Sequence, residues 1–277
     1  MEQDFEERNR KYQSQIQEFC LMHDTFMSKV FEDKKCTELV LRIILNRDDL
    51  IVDHVNCQQD IKNLQGRSIR MDILAHDRKG VIYNIEVQND DAGADPKRAR
   101  YNSSLLDANI TEAGDKYDQL RETYVIFITK NDVLGNGLPI YHIDRMIKET
   151  GENFNDKSHI IYVNSSIQDE TKLGKLMQDF WCKRGEEMNY EVLAERVSFF
   201  KEKKEGVNEM CEILDEVKEE GKNEGRLEGR KEGRLETLIE LVGDGTLSIL
   251  KAAKKENHRI WYPPVLWFLC YFFFLLL

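Results

Sequence analysis

The sequence contains no cysteine pair with the spacing of a metal-binding or redox motif. Its six cysteines are scattered through 277 residues, with no Cys-x-x-Cys and no His/Cys set at ligand spacing. This distribution fits a reduced cytoplasmic protein and argues against a zinc site. We therefore expect a cytoplasmic location.

The chain also lacks a basic excess and an apolar leader. Its net charge of −11 argues against a broad basic surface for nucleic acid. Residues 61–130 are neutral, because they contain as many Lys and Arg as Asp and Glu. Any contact with a polyanion is therefore expected to be local. Residues 1–15 are too charged for a signal peptide, so we do not expect secretion.

A chain of this length suggests one main domain with an appendage. Composition divides it into a polar lead-in (1–20), a domain (21–185), a charged extension (186–240) and a tail (241–277). Within the extension, glycine recurs every four residues from Gly221 to Gly233, and each glycine costs a helix about 1 kcal/mol relative to alanine. We expect a partly helical, low-complexity extension that either mediates homo-oligomerisation or is simply solvated.

The last 18 residues are the longest apolar run, IWYPPVLWFLCYFFFLLL. They barely reach the roughly 20 residues that a membrane span needs, and Pro263-Pro264 breaks a helix near its start. The segment is either a tail anchor or out-of-frame sequence. Nothing upstream prepares for a membrane, so we favour the second explanation and do not expect a membrane partner.

Strand and helix patterns alternate along residues 21–185, which predicts an α/β fold with a mixed sheet. Helical spacing begins at Leu21, and a buried strand is expected at 124–129 (YVIFIT). The other predicted elements are strands at 51–64, 67–75, 81–88, 139–143 and 159–164, and helices at 96–111 and through 173–181.

Residues 67–88 (RSIRMDILAHDRKGVIYNIEVQ) read as two alternating strands joined by a polar loop that ends on Gly80. Successive side chains of a strand point to opposite faces. One face therefore collects a polar set: Arg70, Asp72, Asn84, Glu86 and Gln88. A solvated sheet face is the ordinary explanation of such a set.

The helix predicted after this hairpin offers the alternative explanation, a pocket. It starts at Pro96 with Asp95 as its N-cap, and it is long enough to fold back over the polar face. Arg98, Tyr101 and Asn102 share one of its stripes with leucine, which suits a polar cleft as well as a solvated edge. Carboxylates enclosed in a pocket are what Mg²⁺ requires.

Several segments in order resemble the PD-(D/E)XK nuclease superfamily, specifically its group of bacterial recombination-promoting nucleases and transposases. The resemblance covers roughly residues 21–240 and rests on HDTFMSKVF, DILAHDRKGVIYNIEVQ, KRARYNSSLLDA, YVIFIT, GNGLPIYHI and the EGR-type repeats. It implies a restriction-endonuclease-like αβββαβ core. It also implies Mg²⁺-dependent hydrolysis of DNA phosphodiester bonds, linked to recombination or a mobile element.

The resemblance assigns metal-binding roles to Asp72 and Glu86, with Glu38 of the first core helix as a further ligand if two metal ions are used. Gln88 takes the place of the family's usual Lys as the third catalytic residue, where it would orient the attacking water. Met71 replaces the family's Pro, which is not a ligand. The expected contacts with DNA are Arg70, Arg98 and Tyr101. The competing hypothesis is a catalytically decayed DNA-binding or interaction protein that keeps the fold.

Overall fold

A computed structural model describes residues 2–63, 66–112 and 114–243 of the chain. The predicted C-terminal apolar segment lies outside these residues. Within the described ranges, no helix is both long enough and apolar enough to cross a membrane.

A six-stranded mixed sheet forms the centre of the fold, with the order β1-β2-β3-β4-β6-β5. The first three strands pair antiparallel, β3-β4 and β4-β6 pair parallel, and β5 returns antiparallel along β6. The strands are β1 (Val52–Ile61), β2 (Ile69–Asp77), β3 (Ile82–Gln88), β4 (Thr123–Thr129), β5 (Ile140–Ile143) and β6 (Ser158–Asn164).

Helices flank this sheet, which confirms the predicted α/β class and the restriction-endonuclease-like order of the core. The helices are α1 (Glu2–Glu18), α2 (Asp24–Phe31), α3 (Lys34–Leu45), α4 (Pro96–Ile110), α5 (Lys172–Trp181), α6 (Glu191–Glu202) and α7 (Lys204–Gly243). The predicted single helical segment from Leu21 is divided into α2 and α3, because Asp33 caps the second helix by accepting a hydrogen bond from the backbone N–H of Lys35.

The β2-β3 hairpin pairs antiparallel with Leu74 opposite Asn84. Its turn is held by Asp77, whose Oδ1 accepts hydrogen bonds from the backbone N–H groups of Lys79 and Val81, both at 2.9 Å. Gly80 has φ +82°, a conformation that glycine adopts without strain. Turn and register together fix which side chains share a face.

The main hydrophobic core lies on the sheet face that carries Ile73, Ile85 and Ile126. Side chains of α2, α3, α5 and α6 cover it, together with Tyr12 and Ile16 of α1. The predicted polar lead-in is therefore not only polar: its last turns bury apolar side chains. The buried Lys201 of α6 ties α1 down further, since its Nζ donates to the carbonyl oxygens of Gln17 and Phe19.

The start of the predicted extension also belongs to the folded unit. Leu193, Val197 and Phe200 of α6 are buried in the main core at helical spacing, so the high charge of this segment belongs to its outer face. The compact unit continues to Leu214, and a second unit comprises residues 215–277. The α7 glycines from Gly221 to Gly233 have open space where a Cβ would stand.

The opposite face of the sheet is covered by α4. Its N-cap is Asp95, which accepts a hydrogen bond from the backbone N–H of Lys97, and Pro96 begins the helix as predicted. Two small apolar clusters lie beneath α4, one around Leu74 and Leu106 and the other around Ala99 and Phe127. Asn84 and Glu86 of β3 lie on this α4 face, where both are fully buried.

Candidate metal centre

Asp72 and Glu86 face each other at the end of the β2-β3 ladder. The recorded pairs run from His76–Ile82 to Ile73–Ile85, so Asp72 and Glu86 are the next residue of each strand beyond the last pair. The Asp72 side chain enters the ladder itself, since its Oδ2 accepts a hydrogen bond of 2.9 Å from the Val87 backbone N–H. The two carboxyl groups are therefore held close together by backbone geometry.

The surroundings of this pair favour its protonated forms. Burial raises the pKa of Glu86, which is fully buried, and the negative charge of Asp72 raises it further. Burial likewise raises the pKa of Asp72, with an added contribution from the charge of Asp24. Within the described chain, Oε1 of Glu86 has no hydrogen-bond partner. A fully buried carboxyl group beside a partly buried one, both with raised pKa values, is an arrangement that a cation stabilises.

Arg98 of α4 provides the positive charge nearest to Glu86. Its Nη2 lies 3.3 Å from Oε2 of Glu86, and its Nη1 donates to Oε1 of Gln88 at 3.3 Å and to the Gly93 carbonyl at 2.8 Å. The guanidinium keeps contact with solvent, because the Arg98 side chain is 40% exposed. Arg98 therefore offsets part of the buried charge while remaining accessible.

Gln88, Gly93 and Arg98 form a tight group at the mouth of the site. A Cβ added to Gly93 would lie 2.1 Å from Oε1 of Gln88, closer than two non-bonded atoms can approach. The side chain of Gln88 is thus confined between the 3-10 turn Asp91–Ala94 and the Arg98 guanidinium. Gln88 points toward the same opening as Glu86.

Asp24 and Gln58 lie beside this site, although neither was predicted to do so. Gln58 lies on β1 between Cys57 and Gln59, which pair with the neighbours of Asp72 on β2. It has φ +53°, an uncommon left-handed conformation for a residue with a side chain. Its Nε2 donates to Oδ1 of Asp24 at 2.6 Å. The available signal for Asp24 was an acidic residue opening a helix in HDTFMSKVF.

Glu38 does not join these residues. Its Oε2 accepts a hydrogen bond of 2.9 Å from the Val52 backbone N–H, and its Oε1 lies 2.8 Å from Nη2 of Arg42. Val52 pairs with Asp77, which is five residues from Asp72 along β2, or about 17 Å at roughly 3.4 Å per residue. The acidic side chain that a first-core helix brings near Asp72 is Asp24, not Glu38.

The other two predicted DNA contacts, Arg70 and Tyr101, lie at the edge of the site. Arg70 is exposed on β2, where its Nε lies 3.0 Å from Oδ1 of Asp60. The Tyr101 hydroxyl donates to the Arg67 carbonyl and accepts from Nδ2 of Asn63. Tyr101 therefore fastens α4 to the segment between β1 and β2, and its hydroxyl is already engaged.

The donor set fits a hard divalent cation better than a zinc ion. Among the described residues, no group of three or more His, Cys, Asp or Glu side chains is arranged to hold a metal ion by itself. Mg²⁺ is usually held by one or two carboxylates, with water and substrate phosphate supplying the remaining ligands. Asp72 and Glu86 provide these two carboxylates.

The sequence model of the PD-(D/E)XK nuclease family transposases matches residues 24–237. The chain belongs to this family. The match includes both strands of the hairpin, α4 and most of α7, and nucleases of this superfamily generally use divalent metal ions. No curated protein and no solved structure matches the chain. Asp72 and Glu86 both lie within the matched residues.

The raised pKa of Glu86 leads to a prediction about stability without metal. A carboxyl group with a raised pKa in the folded state binds more protons folded than unfolded, so stability falls as pH rises from about 4.3 through the raised value. Glu86→Gln removes this loss. In urea denaturation with a chelator, the variant should be more stable than wild type by about 1–3 kcal/mol at pH 8, and the two should match near pH 4. A more stable wild type at pH 8 would contradict the buried-charge account.

Proposed function

We propose that the protein is a Mg²⁺-dependent DNA endonuclease that hydrolyses phosphodiester bonds during recombination or the movement of a mobile element. The observation that supports this most directly is the pairing of the fully buried Glu86 with the partly buried Asp72 on the adjacent strand, beside an accessible guanidinium. Membership of the nuclease family agrees with it. A reduced cytoplasm, where the chromosome is accessible, is the proposed location.

Asp72 and Glu86 would hold the metal ion, and the charge of Asp24 would act on Asp72 from the exposed side of the pair. When bound, the ion polarises the scissile phosphate and lowers the pKa of a bound water. The use of a second ion would require Asp24, because Glu38 is committed to Arg42 and to the Val52 backbone. The charge of Asp24 raises the pKa of Asp72, so the two carboxylates are close enough to interact electrostatically.

Gln88 and Arg98 would position the reactants. The Gln88 amide has a donor and an acceptor, which suit it to orient an attacking water beside Glu86. Arg98 lies between the buried carboxylate and solvent, so its planar guanidinium is placed to contact a DNA phosphate. The exposed Arg70 extends this positive surface, whereas Tyr101 would act by keeping α4 in place.

A supercoiled-plasmid nicking assay tests the activity. Wild type with Mg²⁺ should convert supercoiled plasmid to open circles, and Asp72→Asn or Glu86→Gln should reduce the rate by about 100-fold or more, since even the partners of metal ligands change activity 10–100-fold. Addition of a chelator should abolish nicking by wild type. Equal cutting by wild type and Glu86→Gln would refute the assignment.

Asp24 and Glu38 provide a matched pair of variants that tests which acidic residue affects metal affinity. Both are acidic residues of helices before the sheet, but only Asp24 reaches the neighbourhood of Asp72. Calorimetric titration with Mn²⁺ should show affinity falling about 10-fold in Asp24→Asn and staying within about 2-fold of wild type in Glu38→Gln, which loses one of two surface-accessible contacts. The opposite ranking would restore Glu38 as the ligand.

A catalytically decayed DNA-binding protein with the same fold is the second candidate. Gln88 favours it, because the family's usual Lys supplies a cation that glutamine lacks. This candidate predicts DNA binding without metal-dependent nicking. The plasmid assay and the Mn²⁺ titration together separate the two functions.

The second unit of the chain is proposed to mediate homo-oligomerisation. Leu227, Leu235 and Ile239 of α7 are about half exposed, and apolar side chains repeated along an exposed helix mark an interaction face. Light scattering should give a mass above the 32.6 kDa of one chain, and a Leu227→Ser/Leu235→Ser variant should approach the monomer mass. Lys231→Ser, between the two leucines, is the matched control. A monomeric wild type would exclude this proposal.

A further inference from the structure

The contact between α4 and β3 contains a buried polar group that the proposed chemistry does not use. Asn84 is fully buried and Asn102 is 1% exposed. In the described part of the chain, five buried side-chain polar atoms have no hydrogen-bond partner, and four of them belong to this group: Oδ1 and Nδ2 of Asn84, Oδ1 of Asn102 and Oε1 of Glu86. Their concentration on one face separates them from scattered packing defects.

Strand geometry places Asn84 beside Glu86. The two residues are two positions apart on β3, so their side chains share the α4 face. The Asn84 amide is close enough to the Glu86 carboxyl to lower its pKa against the larger opposing effect of burial. The cross-strand neighbours of Asn84 are Leu74 on β2 and Val125 on β4.

Helix geometry places Asn102 over Asn84. On α4, Asn102 lies three residues after Ala99 and four before Leu106, so the three share one stripe. Ala99 packs in the cluster that contains Val125, and Leu106 packs in the cluster that contains Leu74. Asn102 thus lies between Ala99 and Leu106 on the helix. The clusters of these two residues contain Val125 and Leu74, which are the cross-strand neighbours of Asn84.

The two amides interrupt what would otherwise be one continuous apolar contact. Leucine at both positions would join the clusters around Leu74 and Phe127, and replacing unpaired buried polar groups with apolar ones of similar shape is neutral or stabilising. Buried polar groups normally find a partner, and a water with two to four polar neighbours is the usual solution. Packing alone therefore does not account for Asn84 and Asn102.

We propose that Asn84 and Asn102 are positioning residues for Glu86. Through an ordered water, the two amides hold Oε1 of Glu86 toward the interior, so that Oε2 faces Asp72, Arg98 and the metal ion. Hydrogen bonds to the far oxygen of a ligand fix its orientation and its affinity for the metal. The inference rests on the proposed metal centre and adds to it a group that acts through Glu86 and does not touch the substrate.

The arrangement also links the ligand to the docking of α4. Asn102 follows Arg98 by four residues on the same helix, so one rigid element carries both the guanidinium at Oε2 and an amide directed toward Oε1. Displacement of α4 would release both oxygens of Glu86 together.

Asn84→Leu and Asn102→Leu test the proposal by separating metal affinity from stability. Calorimetric titration with Mn²⁺ should show affinity falling 10–100-fold in each variant, while urea denaturation with a chelator should show stability equal to wild type or higher. Asn102→Ser, which keeps a hydroxyl and leaves room for water, should recover most of the lost affinity. A merely structural role predicts the reverse pattern, in which stability falls and metal affinity is retained.

Thr37→Val is the matched control. Thr37 is fully buried on the other side of the sheet, and its hydroxyl donates to the Phe31 carbonyl at 2.9 Å, so this variant should lose stability and keep Mn²⁺ affinity. Unchanged Mn²⁺ affinity in both leucine variants, or a fall in affinity that only tracks a fall in stability, would overturn the inference alone. A wild-type protein that binds no Mn²⁺ would overturn the metal centre and the inference with it.

Discussion

The fold depends on placing two carboxyl groups where they repel one another. Glu86 is fully buried on a central strand, and Asp72 faces it from the next strand at the point where its side chain enters the β-ladder. Burial raises the pKa of both groups, and a neighbouring charge adds to it, that of Asp72 for Glu86 and that of Asp24 for Asp72. A sequence selected only for stability would put apolar side chains there, so the pair identifies the part of the molecule that serves function at a cost to folding.

The helix α4 offsets part of the charge of this carboxyl pair. Its capped first turn brings Arg98 to Oε2 of Glu86, and its inner stripe continues through Ala99 and Leu106 onto the sheet. The guanidinium keeps solvent contact, so its compensation is partial. Full neutralisation by a buried salt bridge would leave no demand for a cation. Because Arg98 is partly exposed, it offsets only part of the Glu86 charge, and the proposed metal ion would offset the rest.

The hairpin and its covering helix were predictable because their signals are local. Alternation of period two fixes the faces of β2 and β3, Gly80 fixes the turn, and Asp95-Pro96 fixes the start of α4. The neighbours of Asp72 and Glu86 depend on contacts across long sequence distances. Asp24 is hydrogen-bonded to Gln58, which has an unusual backbone conformation, whereas Glu38 is turned toward the Val52 backbone. The buried stripe of α6, formed by Leu193, Val197 and Phe200, was likewise not predicted, because charged residues dominate that segment.

The surroundings of Gln88 can be understood only when the sequence is combined with the tertiary contact to Arg98. The resemblance places the family's usual lysine at this position, and from the sequence alone its replacement removes the cation beside the scissile phosphate. In the folded protein Nη1 of Arg98 lies 3.3 Å from Oε1 of Gln88, and a Cβ at position 93 would collide with that oxygen. A positive charge is therefore present at this position, supplied from α4 instead of β3. An arginine side chain keeps its proton at physiological pH, so it can stabilise charge but cannot accept a proton. In the proposed reaction, the proton acceptor would therefore have to be a carboxylate or a water.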